Sequence, residues 1–282
     1  MTQKRQTFTL VPTGGLGNRF EAISSVLFFC REKHRNLEII WFKDHGLNCD
    51  FDKLFYVDPQ IENVTIRNAK IPDFVLRDNP RKRNLWIPRL FENLIYDKNI
   101  YYWDDDLKVL DESAVNDNQL DSFQHIYMVA CGVYWRTDDM YKWIYLSDEV
   151  EKRVLEVTSL FPENIIGIHV RRTDNWNTMK YSPTDLFVKA IDKEIKNDEN
   201  IQFFLASDSL EEKIHFVNLY GDRIITSMEN VNRNTEEGII NAFVEMNILS
   251  RTKKLYAGDS SFARISSEIS GVKLYPVDLR YL

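Results

Sequence analysis

From Ile165 to Asp174 the chain reads Ile-Ile-Gly-Ile-His-Val-Arg-Arg-Thr-Asp, an apolar run that ends on an imidazole, two adjacent guanidinium groups and a carboxylate. Side chains alternate along a strand, so His169 and Arg171 leave on one face while Val170 and Arg172 leave on the other. One arginine can then face a ligand at the carboxyl end of the strand while its neighbour braces the loop from behind. A permanently charged, fork-shaped guanidinium in that position suits a phosphate or diphosphate. An Arg pair can equally serve salt bridges with the protein's own carboxylates, and for an isolated Arg-Arg the two readings carry equal weight.

Neighbouring strand ends shift that balance. The run Ile201–Ala206 ends on Ser207 and Asp208, and Lys254–Ala257 leads into Gly258, Asp259, Ser260 and Ser261 directly before a helix. Ligands of open parallel sheets bind beyond the carboxyl ends of the strands, at the point where the strand order reverses. A Gly-Asp-Ser-Ser turn at a helix start offers free N–H groups and hydroxyls to an anionic phosphate, although plain capping leaves the same signature. Combined with Arg171 it points to a nucleoside diphosphate. Three of the ten glycines, Gly14, Gly15 and Gly17, fall within four residues near the N-terminus. Such a concentration implies either a positive φ or a close approach to the backbone.

Several other chemistries are excluded. Gly15-x-Gly17 is followed by Phe20 where the dinucleotide fingerprint needs a small residue. The next strand closes on Trp41-Phe42-Lys43 without the expected acid, and a Walker-A lysine is missing. The five histidines are scattered without ligand spacing, so no metal is expected. Asp104–Asp106 reads as an exposed acidic loop in preference to the metal motif of other nucleotide-sugar enzymes.

These residues must be positioned by β/α units. Thr7–Val11, the glycine turn, an apolar helical run through Phe20, Ile23, Val26, Leu27 and Cys30, and Leu37–Phe42 make one βαβ unit. From residue 147 the alternation is regular: helix Asp148–Leu160, strand Ile165–Val170, helix Pro183–Lys196, strand Ile201–Ala206, helix Leu210–Leu219, strand Arg223–Thr226, helix Thr235–Arg251, strand Lys254–Ala257, a helix from Ser261 and a last strand Val272–Val277. That is the pattern of a doubly wound parallel sheet. Residues 46–145 are rich in aromatics with few clean periods. They are expected to be helices and loops completing an N-terminal lobe, with the aromatics mostly in the core. The expected division is 1–147 and 148–282.

The formal net charge of −7 argues against a nucleic-acid partner. The one dense basic run, with Arg77, Arg81, Lys82, Arg83 and Arg89, reads first as a solvated loop. Its sharper alternative is peripheral contact with a lipid-linked or acidic acceptor. Three cysteines without C-x-x-C spacing argue for a reducing compartment. With neither a signal-peptide core nor a long apolar stretch and hence no transmembrane segment, a soluble cytoplasmic protein is expected.

The segment Ile166–Asp174 resembles the H-x-R-R-x-D segment of GT-B fucosyltransferases, a group that spans core α-1,6-fucosyltransferases, nodulation fucosyltransferases and protein O-fucosyltransferases. The resemblance continues in order through Ala206-Ser207-Asp208, Phe243–Ser250 and Asp259–Arg264. Gly14-Gly15-Leu16-Gly17-Asn18-Arg19 is similar to the glycine-rich opening of the O-fucosyltransferases. Residues 46–145 contribute nothing to it. The resemblance implies an α/β GT-B fold of two Rossmann-like lobes facing across a cleft. It implies GDP-fucose as donor, held mainly by the C-terminal lobe, a glycan acceptor approaching from the N-terminal lobe, inverting transfer, and no metal or other cofactor. Carried over by position, Arg171 would contact the β-phosphate and stabilise departing GDP. His169 and Glu245 would lie against guanine, and Asp208 near ribose and phosphates. Ser260 and Ser261 would hold the diphosphate with Arg172, Gly15 and Gly17 on the donor side, and Asn18 would lie near the fucose. The glutamate that core α-1,6 members carry shortly after this segment is replaced here by Thr178-Met179-Lys180, leaving Asp174 as the nearest candidate base. Glu245 stands where several relatives carry Asp. The alternatives are another nucleotide-sugar donor or a catalytically silent nucleotide-sugar or glycan-binding protein.

Overall fold

The structure, a computed structural model, describes residues 6–44, 46–77, 86–102, 120–136, 140–173 and 176–281. The chain divides into two compact units, Met1–Ser147 and Asp148–Leu282.

The first unit runs β1 (Thr7–Pro12), α1 (Leu16–Glu32), β2 (Asn36–Trp41), β3 (Phe55–Val57), β4 (Val64–Asn68), α2 (Ile71–Leu76), α3 (Trp86–Ile95), β5 (Lys98–Tyr101), β6 (His125–Ala130) and β7 (Ile144–Leu146). Five of these strands form a parallel sheet in the order β4-β2-β1-β6-β5, and β3 pairs antiparallel with β7. Residues 46–145 supply the helices α2 and α3, as expected, but also five strands that were not. The physical reason is burial. Ile126 to Ala130 of β6 are buried on both faces of the sheet, so the strand shows no polar alternation. The chain winds outward from β1 through β2 to β4, then returns to the other side of β1 with β6, so the order reverses between β1 and β6.

The second unit runs α4 (Asp148–Thr158), β8 (Ile166–Val170), α5 (Trp176–Tyr181), α6 (Thr184–Asn197), β9 (Phe203–Ser207), α7 (Leu210–Tyr220), β10 (Ile224–Ile225), α8 (Glu236–Leu249), β11 (Lys254–Ala257), α9 (Ser261–Ser270) and β12 (Lys273–Pro276). Its sheet is also parallel, in the order β10-β9-β8-β11-β12. All five residues of β8 and of β9 are buried, which explains their unbroken apolar character. Ile166, Ile168, Val170, Phe187, Phe203, Leu205 and Phe216 form one core cluster, each such side chain contributing about 1.5–3 kcal/mol by burial. Thr235 starts α8 by accepting a hydrogen bond from the Gly238 N–H at 3.1 Å. Here the order reverses between β8 and β11, the strands that end in the Arg-Arg and Gly-Asp-Ser-Ser segments. The fold is thus the expected α/β architecture with two Rossmann-like parallel sheets. Among the described residues no helix is long and apolar enough to cross a membrane.

Candidate functional site

The carboxyl end of β8 carries the charged residues. His169 is buried, and its ring stacks on Phe262 at 4.7 Å and 15°. Burial pushes its pKa down to about 4, with Asp208 opposing and Arg171 and Arg172 reinforcing the shift. The imidazole is therefore neutral at pH 7, and its Nδ1 has no hydrogen-bond partner among the described residues. Arg171 is partly exposed. Arg172 turns the other way: its guanidinium donates to Glu212 Oε1 at 2.7 Å, Thr184 Oγ1 at 3.0 Å and the Arg171 carbonyl at 2.9 Å, and lies over the Phe187 ring. These contacts make Arg172 a brace on α6 and α7.

Asp208, at the end of β9, accepts from the Arg172 N–H at 2.7 Å, the Thr173 N–H at 3.2 Å and the Thr173 hydroxyl at 2.7 Å. The carboxylate expected near the ribose shapes the loop that presents Arg171. Glu245 lies on α8 and is paired within the protein. Its Oε1 meets Lys213 Nζ of α7 at 2.5 Å, both side chains are almost fully buried, and the Ser207 N–H donates to the carboxylate. Burial pushes its pKa up to about 7 while Lys213 pulls it back. Lys213 also donates to the Ser227 carbonyl at 2.8 Å, so the ammonium is held from two sides. Breaking one partner of such a buried pair costs about 3–5 kcal/mol, so the Lys213–Glu245 pair ties α7 to α8.

The carboxyl end of β11 packs against α5. A Cβ on Gly258 would lie 2.6 Å from Ser182 Oγ and 2.8 Å from Thr178 Cγ2, so only glycine lets this turn lie against α5. Thr178 fastens the contact by donating to the Asp259 carbonyl at 3.0 Å. Arg280 donates to Asp259 at 3.1 Å and to Asp278 at 2.5 Å, and its guanidinium lies over the Tyr181 ring. Ser260 is the residue before α9, yet its hydroxyl makes no capping bond. Plain capping is therefore not what this serine does. Ser260 Oγ and Ser182 Oγ are buried without a hydrogen-bond partner among the described residues, as is His169 Nδ1. Each such orphan costs about 1–3 kcal/mol unless something else satisfies it. Ser261, partly exposed, opens α9.

In the first unit the glycine loop is fixed differently at each position. Gly14 needs its positive φ of +86°, whereas a Cβ on Gly15 would meet nothing within 4 Å, leaving open space beside the start of α1. Gly17 is buried in the first turn of α1. Asn18 is tied to β6: its amide donates to Cys131 Sγ at 3.2 Å and its carbonyl accepts from the Gly132 N–H at 3.1 Å. Arg19 is wholly buried and donates to the Gly14 carbonyl at 2.9 Å, the Phe42 carbonyl at 2.5 Å and Asp44 at 2.7 Å. It locks the loop to the end of β2. Burial lowers its pKa, with Asp44 opposing.

His169, Arg171, Arg172, Asp208, Glu245, Ser260 and Ser261 thus gather at the carboxyl edge of the second sheet, and Gly15, Gly17 and Asn18 at that of the first. Asp174, like Asp104–Asp106 and Arg81–Arg83, lies outside the described residues. Sequence reasoning passed over Lys213, Ser182 and Thr178. Only the buried Lys213 at an inward position of α7 left a signal, a charge on a helix face that should be apolar.

No protein-family model matches the chain, and no curated protein sequence is similar to it. Solved structures are similar. The fold is that of the GT-B fucosyltransferases. The α-1,6-fucosyltransferase NodZ co-crystallised with GDP superposes with a TM-score of 0.63 at 18% identity, covering 94% of this chain and 92% of that one. NodZ from Bradyrhizobium gives the same TM-score of 0.63. POFUT1 in complex with GDP-fucose gives a TM-score of 0.59 at 12% identity, covering 98% and 97% of the two chains.

Proposed function

We propose that this chain is an inverting, metal-independent glycosyltransferase that moves fucose from GDP-fucose to a glycan hydroxyl, free or lipid-linked. One observation carries the reading: among the described residues, buried polar atoms of His169 and Ser260 at the carboxyl ends of β8 and β11, and of Ser182 beside Gly258, lack partners where the strand order reverses near Arg171. The similar structures support the donor, since NodZ was soaked with GDP-fucose and POFUT1 holds it.

In this reading the second unit holds the donor and the first faces the acceptor. The acceptor oxygen attacks the anomeric carbon as the bond from that carbon to the β-phosphate oxygen breaks, and its proton passes to a base for which Asp174 is the candidate. Negative charge grows on the departing GDP. Arg171, Ser260, Ser261 and the N–H groups opening α9 are the groups to meet it, and fixed donors of this kind help the transition state more than the ground state. That cationic and N–H set does the work a metal would otherwise do. Arg172 and Asp208 hold Arg171 in place. Asn18, with Gly15 and Gly17 leaving room for the sugar, belongs to the fucose end. A reducing, cytoplasmic setting accords with the free thiols of Cys30, Cys49 and Cys131.

A second reading, silent nucleotide-sugar binding, is favoured by one feature. The stretch where core α-1,6 members carry a glutamate is here the α5 contact of Thr178 with Asp259. Incubation with GDP-fucose, glycan acceptors and chelator separates them. Transfer with inversion at the anomeric carbon, followed by NMR, is the expected outcome. GDP-fucose binding without transfer or hydrolysis would support the silent protein, and transfer from another nucleotide sugar alone would replace the donor.

A further inference from the structure

Two helices of the first unit, sharing no residue with the nucleotide site, expose an apolar face. Ile71 of α2 is 85% exposed, and Trp86 and Leu94 of α3 are 73% and 74% exposed. Val75, Leu90 and Ile95 are each at least half exposed. The helices pack on one another, and Trp86, Leu90 and Leu94 repeat at the four-residue spacing of one helix face. Single exposed apolar residues are ordinary, but a contiguous set marks a surface that meets something.

Charge says what it meets. Both acidic residues of these helices point inward. Asp73 accepts from Arg67 at 2.6 and 3.0 Å, from Arg77 at 3.1 Å and from the Lys70 N–H at 2.8 Å. Glu92 is buried and accepts the Tyr101 hydroxyl proton. Among the described residues of the two helices, then, no carboxylate faces outward, and Asp97, exposed just beyond α3, turns its Oδ2 to the Gln124 and His125 N–H groups, although the chain bears a net charge of −7. Lys70 is exposed beside it, and Arg77 and Arg89 are partly exposed. A second copy of this face would bring the same cations together, which disfavours self-association. An apolar helix face with a tryptophan at one end, cationic flanks and no acid fits an anionic interface.

We propose that the α2–α3 face is a membrane-docking surface that lays its apolar side chains into an anionic lipid bilayer without spanning it. The proposal is independent of the nucleotide assignment.

The test is co-sedimentation of the full chain with vesicles of phosphatidylcholine alone and of phosphatidylcholine mixed with phosphatidylglycerol, at low and high salt. The expected result is binding to the mixed vesicles, weakened by salt, with a blue shift of tryptophan emission. The Leu90→Glu/Leu94→Glu variant should lose about tenfold or more in vesicle affinity, as should the milder Trp86→Ala. Circular dichroism should show both variants folded, because these side chains are exposed. No binding to mixed vesicles, or binding that both variants leave intact, would overturn the proposal. So would a dimer, seen by analytical ultracentrifugation and abolished by the variants, in a protein that ignores vesicles. GDP binding is a separate readout and is expected unchanged in both variants.

Discussion

Arg171 and Arg172 are adjacent in sequence and do different work. Strand alternation sends them to opposite faces, and Arg172 finds a carboxylate, a hydroxyl and a phenyl ring on its own side. Arg171→Ala should lower transfer turnover about 100- to 1000-fold and cost less stability than Arg172→Ala, the size of the rate effect being that seen when one transition-state donor is removed. Arg172→Ala should instead lower stability by about 1–3 kcal/mol, because it strips a partly buried Glu212 of its partner. Steady-state kinetics and urea unfolding on both variants check the split; equal losses of stability would contradict it. His169 makes a pH prediction. Its folded pKa, about 4, lies below the ordinary value of 6.5, so the unfolded chain binds more protons between those limits. Stability should therefore fall as pH drops from about 6.5 towards 4 and be unaffected by this group above that range, with a slope of at most about 1.4 kcal/mol per pH unit. His169→Asn should flatten that slope, measured by urea unfolding at pH 7, 5.5 and 4.5; parallel slopes would contradict the neutral imidazole.

At the scale of elements, the site depends on how closely α5 lies on the β11–α9 turn. Gly258→Ala would drive a methyl to within 2.6–3.1 Å of Ser182 and Thr178, so the turn and these side chains must shift apart. The expected result is weaker GDP binding by about tenfold or more, equivalent to 1.4 kcal/mol, in a protein that stays folded; calorimetric titration measures it, and unchanged affinity would contradict a diphosphate site at this turn. The elements of the second unit were legible in sequence because its buried strands are short apolar runs that end on polar residues, and its helices alternate with them. The strands β3 to β7 were not, because β3, β4, β5 and β7 are short and only partly buried, and the aromatics around them and β6 blur any period. Residues that meet only across the fold were also hidden. Nothing in sequence pairs Lys213 with Glu245, or sends Asp208 to the Thr173 hydroxyl, because those contacts depend on where α7, α8 and the β8 loop come to lie.

On the scale of the whole molecule, two parallel sheets each reverse their strand order once, and each reversal gathers the polar residues that the sequence singled out. The first unit offers a glycine loop locked by Arg19, and the second a cationic strand end beside an uncapped helix start. The similarity to NodZ and POFUT1 extends over both units, at 94% and 98% coverage of this chain. The central claim is that the second unit holds a guanosine diphosphate at His169, Arg171 and Ser260. Thermal unfolding of the full chain with GDP, UDP, a CDP-sugar and a dTDP-sugar, each with magnesium and with chelator, tests it most directly. A ligand at about 100 times its Kd adds roughly 2.7 kcal/mol. Stabilisation by GDP alone, equal with magnesium and with chelator, and lost in Arg171→Ala, is the expected result. No stabilisation by any of the four, or an equal shift in Arg171→Ala, would contradict it.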